Sequence, residues 1–240
     1  MDPLYQTDLA YIHAAGYSGL ARRAGADIIR RLKAASTPIH HVIDVGCGSG
    51  PLSAELCAAG FQVTGIDPSN AFLELAREAA PGATFLQGSI YEMDLPRCEA
   101  IVAVCEPLTY HEEGVDAPRR LLRLFERAAE FLPRGGMLIF DVIETGDPNL
   151  TGRNWTSGDD WAVLVESIDD SRSRTLIRTI ETFVRSGELY RRTREVHRVH
   201  LFDPTELRAM LTGCGFEVET ADCYGSEPLS TRRMAYFCTR

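Results

Sequence analysis

Lysine is almost missing from this 240-residue chain: Lys33 stands alone, and the other 24 of its 25 basic residues are arginines. That imbalance carries no functional reading. More telling is the shortage of positive charge as a whole, 25 Lys and Arg against 34 Asp and Glu for a formal charge of -9. A net negative chain repels phosphate backbones and anionic lipid surfaces, so neither nucleic acid nor membrane is expected as a partner, and a small molecule is. No segment approaches ~20 consecutive apolar residues, which excludes a spanning helix, and the Met-Asp-Pro-Leu-Tyr start leads into no apolar run of signal-peptide length. Nor is there a C-x-x-C pair among Cys47, Cys57, Cys98, Cys105, Cys214, Cys223 and Cys238. An odd number of scattered cysteines argues against a disulfide framework and a zinc site, and for free thiols in a reducing cytosol. Internal repeats and low-complexity tracts are absent too. What the chain does have is 45% hydrophobic and 25% charged residues, enough for a sizeable core in one domain with an elaboration, and unlike a disordered, collagenous or coiled-coil composition.

Hydrophobic periodicity divides the chain. Residues 1–35 read as helix, with Leu9, Ile12, Leu20, Ile28, Ile29 and Leu32 at three and four spacings and Gly16 and Gly19 breaking the middle, giving an N-terminal helical cap over 1–36. From His40 to Val142 short apolar runs alternate with helical stretches: strands at 41–45, 61–66, 83–87, 100–105 and 136–142, helices at 51–59, 69–79 and 118–131. Runs such as Ile101-Val102-Ala103-Val104 suit strands covered on both faces, so the alternation implies a parallel sheet in a doubly wound α/β core. Residues 145–158 are rich in turn formers and end the alternation. Three β-like runs follow, 161–168, 175–184 and 189–201, joined by turns too short for anything but antiparallel neighbours, and 145–201 is therefore read as an inserted β-meander lid. Asp203 at N-cap with Pro204 at N1 starts a last helix, and runs at 216–224 and 232–239 close the chain as a hairpin, so that the core comprises 37–144 plus 202–240.

The sharpest chemical signal is Val42-Ile-Asp-Val-Gly-Cys-Gly-Ser-Gly50. Apolar residues lead into Asp44, and Gly46, Gly48 and Gly50 then occupy a strand-to-helix turn where a ligand can approach bare backbone and helix N–H groups. The second strand ends on Asp67, where a carboxylate can accept both ribose hydroxyls. A lone G-x-G-x-G is equally a tight turn; Asp44, Asp67 and the flanking strands together describe a nucleoside-cofactor site. The dinucleotide fingerprint needs glycine at position 51, occupied here by Pro51, and an acid at Asp44 suits a cofactor with a cationic amine better than a pyrophosphate.

With these residues the chain resembles the class I S-adenosylmethionine-dependent methyltransferases, whose first motif is an acid followed by G-x-G-x-G. The resemblance extends to Asp67, to the Pro133-Arg134-Gly135-Gly136 turn before a strand, and to Gly213-Cys214-Gly215-Phe216 before the terminal hairpin. It implies a doubly wound, mostly parallel seven-stranded Rossmann-like sheet with an antiparallel last strand, an ending that nicotinamide dehydrogenases lack. It implies S-adenosyl-L-methionine as cofactor, with Gly46, Cys47 and Gly48 lining its methionine portion, Asp67 its ribose, Pro68 the neighbouring edge, and Ile90 the base. Ser89 stands where relatives often carry an acid touching the adenine amine. Cys105 is expected as a small wall residue, and Glu106 does not match the Asn/Asp-Pro-Pro-Tyr of amide-modifying relatives.

Methyl transfer is an in-line displacement in which the protein positions a lone pair ~3 Å from the methyl and excludes water. Candidates to line the acceptor site are Tyr110 and His111 after the fourth strand, His13 and Tyr17 four apart in the cap, and His197, which shares a strand face with Glu195, a pairing that fixes a histidine tautomer for acid-base work. Each also has a bland reading, as core aromatic, surface histidine or cross-strand polar pair. The meander arginines Arg178, Arg191, Arg192, Arg194 and Arg198 read as a solvated or subunit-facing surface, leaving a homodimer through the meander open. The placement of the insertion is similar to the lids of nucleotide-sugar N-methyltransferases and glycine N-methyltransferase-like enzymes. The expected activity is methylation of a small-molecule acceptor, nitrogen preferred over oxygen. A catalytically silent cofactor-binding protein is the alternative, and a nicotinamide dehydrogenase the more distant one.

Overall fold

The computed structural model describes residues 4–240; Met1, Asp2 and Pro3, the start of the expected cap, lie outside the described residues. In place of the single expected helical cap there are two helices, α1 Thr7–Gly16 and α2 Gly19–Lys33, parted where the two glycines interrupt the pattern, and α2 is a correction to that reading because its apolar face packs on the main sheet. Gly16 is required there by a close approach, because a Cβ at this position would lie 2.8 Å from the Trp161 ring. The α/β alternation follows as β1 His41–Val45, α3 Pro51–Ala58, β2 Gln62–Asp67, α4 Asn70–Ala79, β3 Thr84–Gln87, β4 Ala100–Ala103, α5 Ala117–Phe131 and β5 Met137–Ile143.

The meander has four strands, β6 Gly152–Ser157, β7 Trp161–Asp170, β8 Thr175–Ser186 and β9 Leu189–His200. Strand β6 corrects the reading of 145–158 as turn alone. Its sequence is polar and its residues largely exposed; the ladder to β7, Gly152↔Ser167 through Ser157↔Ala162, makes it an edge strand, a state set by pairing rather than by its own apolar pattern. After α6 Pro204–Gly213 come β10 Glu217–Ala221, the two-residue strands β11 Cys223–Tyr224 and β12 Glu227–Pro228, and β13 Arg233–Thr239. Asp203 caps α6 as its sequence requires, its carboxylate accepting from the Thr205 and Glu206 N–H groups at 2.9 and 3.0 Å.

The main sheet runs β10-β13-β5-β4-β1-β2-β3. All of its described pairings are parallel except those of β13, which is antiparallel to both β5 and β10, so the antiparallel strand lies between two others instead of at the rim. The chain turns from one half of the sheet to the other between β1 and β4, and the crevice beyond their carboxyl ends is where an open α/β sheet binds ligands. Both faces are covered. Ile28 and Leu32 of α2 pack with Val42, Leu52 and Val102 on one side, and Leu121, Leu124 and Phe125 of α5 with Ile101 and Phe140 on the other. Each such aliphatic side chain, fully removed from water, contributes ~1.5–3 kcal/mol.

Helix α1 lies apart from that core, its Leu9 and Ile12 packing with Trp161, Val163, Ile180 and Val184 of the meander. The meander in turn touches the core at the bridge Tyr110↔Val199, and the Glu144↔Phe202 bridge closes the two chain segments at its base. Helix α1 reaches the carboxyl end of the sheet with His13, and the meander backs the segment after β4 there through Tyr110. No helix among the described residues is long and apolar enough to cross a membrane.

Candidate functional site

A cavity of about 380 Å³ lies at that end of the sheet, toward the lower end of the ~300–1,000 Å³ usual for sites of one small ligand. Its floor is the glycine turn. Gly46 donates its N–H to the Ile66 carbonyl at 2.8 Å and adopts φ +63°, and a Cβ there would strike Pro107 at 2.3 Å, so only glycine fits both the dihedral and the space. Gly48 (φ +54°) lies open toward the cavity, with nothing nearer than 3.9 Å to an added Cβ. The Gly48 N–H reaches Asp67 Oδ2 at 3.0 Å, and the Ser69 N–H reaches Oδ1 at 2.8 Å. These bonds aim the Asp67 carboxylate along the cavity wall and leave one lone pair on each oxygen for a pair of hydroxyls. Burial pushes its pKa up to about 6, against the pull of the Ser69 and Gly48 N–H groups.

Pro68, Ser89, Ile90 and Cys105 also line the cavity, as do His13, Tyr110 and His111. Five residues expected at the site sit behind its wall. The Asp44 carboxyl turns under the glycine loop, where Ser53 Oγ donates to it at 2.6 Å, and burial pushes its pKa up to about 7. It braces the loop's start against α3 and is not on the wall. Cys47 points beneath the loop, its Sγ 3.0 Å from a Cβ built at Gly65. Gly50, at φ +82°, lets α3 approach Ala76 of α4. Tyr17 is 40% exposed and stacks on the outer side of His13, ring centroids 5.7 Å apart. His197 is wholly buried behind Tyr5 and Tyr110.

The segment after β4 carries strain. Cys105 and Glu106 are consecutive non-glycine residues at φ +71° and +60°, a conformation that costs ~1–3 kcal/mol per residue unless the surroundings impose it. They are imposed by Asp141 at the end of β5, whose two oxygens accept the Cys105 and Glu106 N–H groups at 2.7 and 3.1 Å. The Glu106 side chain is 3% exposed and pairs with Arg178 of β8 and, at 2.9 Å, with Arg233 of β13. Burial alone would raise its pKa; the two guanidinium groups override this and hold it at about 2. Arg178 is therefore a correction to the reading of the meander arginines as surface. It shares the inward face of β8 with Ile180, and a buried carboxylate waits opposite it. Arg191 pairs with buried Asp8 of α1 while its own side chain stays exposed, and Arg192 keeps to the outer face with Glu181.

Tyr5 is a cavity residue that sequence reasoning missed, as are Phe72, Tyr91 and Arg120. It lines the cavity, its ring lies 4.9 Å from both Phe72 and His197, and its hydroxyl is 2.8 Å from that of Tyr110. Its backbone is tied on two sides: the Tyr5 and Gln6 N–H groups donate to the Glu195 carboxylate at 2.7 and 2.9 Å, and Ser69 Oγ donates to the Tyr5 carbonyl at 2.7 Å. Glu195 also accepts from His197 Nε2 at 2.8 Å, as the two-residue spacing implied. Here the pair anchors the N-terminal segment instead of facing the cavity. No local signal announces a contact between residues so far apart in sequence.

The titratable wall is mostly neutral. Burial raises both the Tyr5 and Tyr110 phenols, Tyr110 to about 12, and lowers His13 to about 4. At neutral pH the two phenols keep their protons and the His13 imidazole is uncharged. On the same wall, His111 Nδ1 lies 2.9 Å from the Glu112 carbonyl, which can only accept, so Nδ1 carries the proton. Its Nε2 is buried without a hydrogen-bond partner among the described residues, leaving a free lone pair on a side chain of the cavity wall.

A family model described as "Methyltransferase domain" matches residues 42–136, the span from the glycine turn to the start of β5. Among curated proteins, the chain is 29% identical over 208 residues to a putative methyltransferase, YqeM, of Bacillus subtilis, covering 82% of each. It is 24% identical over 227 residues to a dTDP-3-amino-3,4,6-trideoxy-alpha-D-glucopyranose N,N-dimethyltransferase of Streptomyces venezuelae, covering 90% of this chain and 93% of that one. Among solved structures, S-adenosylmethionine-bound CalS10, an amino pentose methyltransferase from Micromonospora echinaspora, superposes with a TM-score of 0.73 at 20% identity over 100% of this chain and 99% of that one. At that identity the likeness is one of fold.

Proposed function

The chain belongs to the class I S-adenosylmethionine-dependent methyltransferases, and from that premise we propose that its acceptor is the amino nitrogen of a small metabolite. The bound cofactor supplies an electrophilic methyl on a sulfonium. The protein's part is to hold the nucleoside, expose one face of the methyl to the acceptor, exclude water and take away a proton. Asp67 holds the ribose hydroxyls, Gly46 and Gly48 leave room for the chain that carries the sulfonium, and Cys105 walls the same edge. The open approach at Gly48 and the two remaining lone pairs on Asp67 fit such a cofactor.

The observation that carries the reading is the free Nε2 of His111. An alkyl amine is an ammonium at neutral pH and offers no lone pair until a proton leaves it, and an imidazole in this tautomer has the unpaired nitrogen to receive that proton. Tyr5 and Tyr110, linked hydroxyl to hydroxyl, shield the reacting atoms from solvent. Glu92 and Glu112, exposed where the cavity opens, favour the approach of a cation. The likeness to an aminosugar N,N-dimethyltransferase points the same way. We read 145–201 as a lid that backs the cavity with Arg178, Glu195 and His197, and the cysteines, none of them in a disulfide, as suited to a reducing cytosol. The lid's outer face carries Trp155, opposite Leu164, with Ile168 farther along β7 and Val196 on β9, each at least 39% exposed. Flanking pairs of both signs, Arg153–Glu166 and Arg192–Glu181, make that face self-complementary, and a second copy of the chain is its proposed occupant. Light scattering should find a dimer that Trp155→Asp dissociates; a monomeric wild type would rule it out.

The acceptor is tested by incubating the protein with a metabolite extract and cofactor carrying a deuterated methyl, then locating the label by mass spectrometry and fragmentation. A small product methylated on nitrogen is expected. Label on a carboxylate or hydroxyl oxygen would overturn the amine assignment.

A further inference from the structure

From Asp67 the cavity continues to the end of β3, where Gly88, Ser89, Ile90 and Tyr91 form its wall. A nucleoside whose ribose sits on Asp67 therefore presents its base to this wall. A carboxylate there would accept from the exocyclic amine of adenine and repel a carbonyl at the same position of the ring. The wall carries donors instead. Arg120, in the first turn of α5, is half-buried and lines the cavity. Its guanidinium stacks over the Tyr91 ring at 3.9 Å, and its Nη2 lies 3.5 Å from Ser89 Oγ. The platform beneath it is rigid: the Tyr91 hydroxyl donates to the Leu108 carbonyl at 2.7 Å, and Arg127 donates to the Ile90 and Tyr91 carbonyls at 3.2 Å. A guanidinium has five N–H donors and no acceptor, whereas the Ser89 hydroxyl serves as either. Glu92, the nearest acid along the chain, is exposed at the rim.

We propose that Arg120 is a specificity-determining residue that reads the purine edge through donors, so that the site accepts a 6-oxopurine nucleoside about as readily as an adenine one. Adenine offers Arg120 only a ring nitrogen and turns an amine donor toward it. Hypoxanthine offers the O6 carbonyl, the better partner for a charged donor, while its N1–H donates to Ser89. The inference rests on Asp67 holding the ribose. Calorimetry with S-adenosylhomocysteine and S-inosylhomocysteine tests it on the full chain. The wild-type protein should bind the inosyl ligand no more than about threefold weaker than the adenosyl one, and Arg120→Ala should raise that ratio at least fivefold. Glu92→Gln should leave it where it was. A wild-type ratio above threefold, a ratio that Arg120→Ala does not move, or one that Glu92→Gln does move would each overturn the proposal. Failure of the wild-type protein to bind either ligand would overturn the nucleoside reading itself, and the inference with it.

Discussion

The two sides of the cavity are built on opposite plans. The β1–β2 side is made by neighbours in sequence: Gly46, Gly48, Asp67 and Ser69 come from two consecutive strand ends, and their mutual bonds are backbone N–H to carboxylate. The meander side is made by residues from distant parts of the chain, Tyr5 with Glu195 and Glu106 with Arg178 and Arg233, joined through charged side chains. Local backbone geometry makes one side cheap to form and insensitive to remote change. Buried charge makes the other side interdependent, because an ion removed from water is tolerated only while its partner is present.

Breaking the meander side should have the largest effect. Glu106→Leu leaves Arg178 and its neighbourhood with uncompensated buried charge and is expected to cost ~3–5 kcal/mol of stability in urea unfolding; a loss below ~1 kcal/mol would mean the network is solvated. His111→Ala is expected to lower turnover at least ~100-fold, about 2.7 kcal/mol, with the affinity for S-adenosylhomocysteine unchanged. Intact turnover on the identified amine would remove His111 as the base. On the other side, Asp67→Ala should weaken cofactor binding about tenfold, ~1.4 kcal/mol, while melting remains close to wild type, and an unchanged affinity would take Asp67 out of the site.

The dependence of stability on pH has opposite signs on the two sides. The Glu106 pKa is depressed to about 2, so its contribution to stability is present above the ordinary glutamate range and is lost as pH falls toward 2. The Asp44 pKa is raised to about 7 by burial, so its contribution is fullest below the ordinary aspartate range and is lost as pH rises through 7. Asp44→Asn should flatten the decline in stability between about pH 4 and pH 7 and leave the acid limb intact. A profile identical to wild type in that window would show that Asp44 does not titrate there.

Legibility in the sequence followed the same division. The strands from His41 to Ile143, the cap of α6 and the glycine turn were readable because each is a pattern within a dozen residues: buried runs, Asp203 before Pro204, glycines after an apolar strand. Strand β6 was not, because Gly152–Ser157 is polar and becomes a strand only by pairing with β7. Asp44 and Cys47 were correctly placed in the motif but not in the cavity, since a motif marks the loop and not which way each side chain leaves it. Arg178 was misread as surface for a related reason. Strand periodicity assigns it to a face of the meander, but a charge on the inward face is expected only once Glu106 is known to lie opposite.

By itself, then, the sequence determined the family, the cofactor class and the glycine turn with Asp67 that lines one side of the cavity, because those depend on short-range backbone conformations that particular residues permit or forbid. Tertiary structure alone decided that Tyr5 joins the cavity wall, that Glu195 and His197 anchor the N-terminal segment behind it, and that His111 keeps a free nitrogen. Each of these is an encounter between remote side chains, and no local periodicity encodes which partner a buried polar group will meet.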